Sequence, residues 1–106
     1  MNESLLHLNQ FIKDFNLKLP NGSVLFNAKV YFKEGSKTNS QTSDVEIIRE
    51  ENAATVYFMN TSIASEKLPD TFSLKSSNFA YIQKQYLKIQ SNSNELIISV
   101  FPTLRS

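Results

Sequence analysis

The strictest alternation of apolar and polar positions runs from Ser23 to Lys33. Val24, Phe26, Ala28, Val30 and Phe32 fall on one side of a period-2 ribbon, and Leu25, Asn27, Lys29, Tyr31 and Lys33 fall on the other. This pattern predicts a half-buried strand with Phe26 and Val30 packed against the first helix and Lys29 and Lys33 in solvent. The helix itself is read over about Glu3–Asn16, where Leu5, Leu8, Phe11, Ile12 and Phe15, continued by Leu19, make one apolar stripe. Leu6 and Leu17 lie off that stripe, and Asn2 or Ser4 is placed to cap it. Pro20-Asn21-Gly22 then turns the chain into the strand, because proline presets φ and glycine permits φ > 0.

Downstream, Glu34–Ser43 holds no large apolar side chain and reads as a mobile loop. Asp44–Glu50 alternates Val45 and Ile47 against Glu46 and Ile48. Ala53–Met59 alternates Val56 and Phe58 against Thr55, Tyr57 and Met59, and the short Glu50-Glu51-Asn52 link predicts a hairpin between the two. A polar connection follows, with one helical turn expected at Ser62–Lys67 and ended by Pro69; Thr71–Lys75 is a short strand through Phe72 and Leu74. Phe79–Gln90 fits two templates, a helical stripe through Phe79, Ile82, Tyr86 and Ile89 and a strand through Tyr81, Leu87 and Ile89. The strand is favoured, because Ser91–Asn94 and Glu95–Phe101 look like the turn and return strand of a hairpin, with Pro102 as its stop.

The elements add up to one α+β domain over residues 1–106, an N-terminal amphipathic helix packed on a curved antiparallel sheet of about five or six strands. A chain of 106 residues is long enough to bury about two-thirds of its unfolded surface without staples. Asparagine, serine, threonine and glutamine make up about a third of it, yet the apolar residues are grouped in strand-like runs, so it reads as folded. Residues 1–20 lack a basic start and an unbroken apolar run, which argues against a signal peptide or membrane span and gives the expectation of a cytoplasmic protein.

Eleven basic against ten acidic side chains give a formal charge of +1, which removes any global case for a nucleic-acid partner and leaves only a local patch to supply one. No cysteine is present, so thiolate chemistry and thiolate metal sites are out of reach. The sole histidine, His7, lies opposite the helical stripe and reads as a solvated side chain; alone it makes no metal site and no triad base. Gly22 and Gly35 stand too far apart for a phosphate-cradling loop. Glu34, Asp44, Glu46, Glu50, Glu51, Glu66 and Asp70 are scattered and read as surface charge. The expectation is a protein without catalytic residues, metal or cofactor.

Binding remains. One helix of about 15 residues spans only about 22 Å, whereas six strands make a sheet about 24 Å wide, so a sheet face is expected to stay bare for a protein partner or a second copy in a homodimer. The leading expectation is therefore a protein–protein interaction module of inhibitor, immunity or adaptor type, with Tyr31, Tyr57, Tyr81, Tyr86, Lys29 and Lys33 as partner-binding residues. A second reading is a small apolar ligand held between helix and sheet by Phe26, Val30, Phe58, Phe72 and Phe79. A third, placed last, is a single-stranded nucleic acid on Lys29, Tyr31 and Lys33 of one strand and Lys84, Tyr86 and Lys88 of another. Against it stands the prospect that Glu46 and Glu50 pair with those lysines across strands.

Overall fold

A computed structural model describes residues 3–17, 23–59, 71–91 and 96–103. Its elements are helix α1 (Glu3–Asp14) and strands β1 (Ser23–Glu34), β2 (Lys37–Arg49), β3 (Ala54–Met59), β4 (Thr71–Ser73), β5 (Ser77–Ile82), β6 (Tyr86–Ser91) and β7 (Leu96–Pro102). The described strands form one antiparallel sheet in the order β4-β3-β2-β1-β7-β6-β5. The α+β class holds, but the sheet has seven strands where the sequence pattern gives five or six. The expected turns at Pro20–Gly22 and Ser91–Asn94, the helical turn at Ser62–Lys67 and the Asn2 cap lie wholly or partly outside the described residues.

Why the sheet curls follows from its connections. The outermost strands β4 and β5 are joined by only Leu74, Lys75 and Ser76. Six strand spacings would hold the edges of a flat sheet about 29 Å apart. Four Cα steps from Ser73 to Ser77 reach at most about 14 Å. The sheet therefore wraps into a nearly closed barrel, and its inner face becomes the core. That core collects the inward side of every described strand: Val24, Ala28, Val30 and Phe32 of β1, Val45 and Ile47 of β2, Val56 and Phe58 of β3, Phe72 of β4, Phe79 of β5, Leu87 and Ile89 of β6, and Ile98 and Val100 of β7. Ser43 also points inward, and its hydroxyl is satisfied by the Met59 carbonyl.

Two expectations about loops are corrected. The polar stretch Glu34–Ser43 is not a mobile loop; only Gly35 and Ser36 turn, with Gly35 at φ 59, and Lys37 opens the longest strand, paired residue by residue with β1 from Glu34↔Lys37 to Ser23↔Ile48. Ser, Thr, Asn and Gln suffice there because Lys37–Ser40 are exposed, so no apolar pattern marks the strand. Phe79–Gln90 is neither one helix nor one strand. It divides into β5 and β6 around Gln83 and Lys84, both at positive φ, with Gln85 N–H donating to Ile82 C=O at 2.9 Å. Positive φ at both central residues is the requirement of a type I′ hairpin turn, which usually recruits Asn or Gly. This hairpin supplies the extra strand.

Helix α1 buries Leu5, Leu8, Phe11 and Ile12, as its stripe predicts. It ends in a Schellman motif: Asn16 sits at φ 53, Asn16 N–H donates to Lys13 C=O, and Leu17 N–H donates to Ile12 C=O. The same reversal folds Leu17 back against the core, although helical spacing puts it off the stripe. Phe26 is only half-buried, less than its place in the alternation suggests, because it sits beneath the end of the helix with its ring 6.0 Å from that of Phe11. Val30 is fully buried, but inside the barrel between Gln41 and Val100 rather than against the helix, which packs mainly on β5; Lys29 and Lys33 are exposed, as expected.

Candidate functional site

β5 is an edge strand, and an edge strand offers unpaired backbone groups to any passing chain. Helix α1 closes this one with side chains. Ser4 Oγ accepts the Phe79 N–H at 3.1 Å in a buried position, and His7 Nδ1 accepts the Tyr81 N–H at 3.0 Å. Ser4 is thus an edge partner rather than the helix cap. His7 is corrected likewise: it is half-buried against β5, with Nδ1 serving as an acceptor and Nε2 3.8 Å from Glu3. Tyr81 faces the helix, where its ring packs against Phe11 and Phe15 and its hydroxyl donates to Asp14 Oδ2 at 3.0 Å. Burial, then the hydrogen bond and negative charge of Asp14, hold the Tyr81 phenol above its ordinary range. At the end of β2, Arg49 Nε donates to Asn9 Oδ1 at 3.0 Å. The sole histidine and one of the four tyrosines are therefore part of the packing between helix and sheet.

The outer face of β1, β7 and β6 is different. Strand register sets nine outward side chains in three rows. Lys29 stands opposite Phe101, and Phe101 meets Tyr86; Tyr31 stands opposite Ser99, and Ser99 opposite Lys88; Lys33 stands opposite Ile97, and Ile97 opposite Gln90. At about 4.8 Å between strands and about 6.8 Å between alternate residues, the nine cover about 10 by 14 Å. Three rings are contiguous: Tyr31 meets Phe101 edge-on at 5.5 Å, and Tyr86 stacks on Phe101 at 4.7 Å with 30° between planes. Lys29 Nζ lies 5.4 Å from the centre of the Tyr31 ring, within cation–π range. The rings are half-exposed, on the solvent side of a barrel whose apolar core is already filled.

Among the described residues no carboxylate interrupts this face. The neighbouring outward positions on β2 are Thr38, Ser40 and Thr42, and those on β5 are Asn78, Ala80 and Ile82. Glu46 stands opposite Leu25 and Tyr57, and Glu50 lies beyond the end of β2, so neither faces the lysines. Asp44, the next outward position on β2 beyond Thr42, accepts a hydrogen bond from Asn27 Nδ2 at 3.1 Å. Among the described residues none of Lys29, Lys33 and Lys88 has an ion-pair partner.

Of the six residues expected to bind a partner, Tyr31, Tyr86, Lys29 and Lys33 converge here. Tyr57 is half-exposed on the outer side of β3, separated from the patch by β2, and Tyr81 lies under the helix. Phe101, which joins the two tyrosines, carries no local mark in the sequence; only the pairing of β7 between β1 and β6 puts it at the centre. Of the five residues expected to enclose a ligand, Val30, Phe58, Phe72 and Phe79 are buried core, with Phe58 against both Phe32 and Phe72 at 5.7 Å. Phe26 alone lines a cavity, an open groove of about 530 Å³ shared with Phe15, Leu17 and Leu25. The case for a homodimer through a bare sheet face also changes its footing, because curling encloses the inner face and leaves only the outer one for a partner. No helix among the described residues is long and apolar enough to cross a membrane. Comparisons with protein-family models, curated proteins and solved structures find no match for this chain.

Proposed function

We propose that the protein is a non-enzymatic binding module whose partner surface is the outer face of β1, β7 and β6. The observation that carries this reading is the convergence of two lysine–tyrosine strands, distant in sequence, around Phe101 on a face that holds no carboxylate among the described residues. Half-exposed aromatic rings supply contact area at low rotamer cost, and unpaired lysines fix the sign of what they meet. The partner is therefore an anionic macromolecule; an acidic protein, the class favoured by the sequence, and a nucleic-acid strand both answer to that description. Engagement of the only histidine as the acceptor for Tyr81 N–H supports a role without acid–base catalysis.

The reading is tested by pull-down from the native host, comparing wild type with a Lys29→Glu/Tyr86→Ala/Lys88→Glu variant whose circular dichroism and melting are unchanged. A partner retained by wild type and lost from the variant is expected. A partner held equally by both would move the binding surface elsewhere.

A further inference from the structure

We infer that the occupant of this face is a single-stranded nucleic acid, an inference that rests on the binding surface proposed above. The face carries three lysines and no arginine. Lysine is depleted in protein–protein interfaces, and pairing with protein carboxylates favours the arginine fork, whereas lysine serves phosphates as an orientation-tolerant point charge. Binding a single strand without sequence preference requires positive charge along the backbone and aromatic side chains on which bases stack. Both stand within one patch, Lys29, Lys33 and Lys88 around Tyr31, Phe101 and Tyr86. The glutamates that the sequence set against this partner do not face the lysines: β1 and β6 flank β7, and Glu46 and Glu50 lie elsewhere. The rings also choose between strand types. A duplex hides its base faces in its own stack, so only an unpaired strand can use the rings.

The test is fluorescence anisotropy with a labelled single-stranded oligothymidine, on the full chain, from low to moderate salt. Three phosphate contacts predict a slope of log K against log salt of about −2 for a single strand. Lys29→Gln with Lys88→Gln should reduce the slope to about −0.7. Tyr86→Ala and Phe101→Ala should each weaken binding about fivefold or more at constant salt, since one stacked base contributes at least that factor. Melting temperatures identify any variant that loses binding by unfolding, and the lysine pair, both outward, keeps the test valid if Phe101→Ala does not fold. No binding at low salt, binding unchanged by the lysine variants, or a duplex bound as tightly as the single strand would each overturn the inference. An oligoglutamate peptide bound in place of the oligonucleotide, and released by the same lysine variants, would overturn it in favour of an acidic protein while leaving the surface intact. Failure of both probes together with an unaltered pull-down would remove the surface itself.

Discussion

Phe11→Ala is expected to destabilise the protein by about 3–5 kcal/mol, the range for removing a fully enclosed phenylalanine. The ring is completely buried and meets Phe15, Phe26 and Tyr81 at centroid distances of 5.2, 6.0 and 5.7 Å. It is the point where the helix stripe, the first strand and the β5 edge meet, so the cavity left behind has walls on three elements and collapses poorly. A domain of this size is stable by about 5–15 kcal/mol, which makes the loss large enough to unfold a marginal protein. Denaturant titration with an unchanged m-value checks it. A loss below about 1 kcal/mol would show that the helix does not pack here. Phe26→Ala should cost less, because that ring is half-exposed beside the groove.

Ser4→Ala removes the acceptor of the buried Phe79 N–H. Leaving a buried donor unsatisfied costs about 1–3 kcal/mol, and alanine's better helix propensity returns at most about 0.7 kcal/mol of that. The expected net loss is about 0.3–3 kcal/mol, accompanied by faster hydrogen exchange at the Phe79 amide. Unchanged exchange at that amide would mean that the β5 edge is closed by something other than Ser4.

Elements with a strong local rule were legible in the sequence. Period-2 alternation found β1 with the right face inward, helical spacing found α1, and the short Glu50–Asn52 link found the hairpin between β2 and β3. Elements that depend on their partners were not. The first half of β2 has no apolar residue because its partner strand and the exposed hairpin set its conformation. Gln83 and Lys84 make a turn without the residues that normally announce one. His7 shows the limit of the apolar stripe as a guide: a residue off the stripe need not face water when the helix lies along a sheet edge, where it can accept a backbone N–H. The same limit applies to the binding face. Lys29, Tyr31 and Lys33 and the pair Tyr86 and Lys88 were each visible in their own stretch, whereas Lys84 falls in the turn between β5 and β6; the meeting around Phe101 is a property of strand order, and no pattern within one strand encodes it.

The most direct measurement is an amide chemical-shift titration of the labelled protein with single-stranded oligothymidine. Shifts clustered on Lys29, Tyr31, Lys33, Lys88, Ser99 and Phe101 are expected, with Glu46, Tyr57 and the helix unmoved. Shifts centred on the outer side of β3, or on the helix and its groove, would contradict the assignment of the outer face of β1, β7 and β6 as the partner surface.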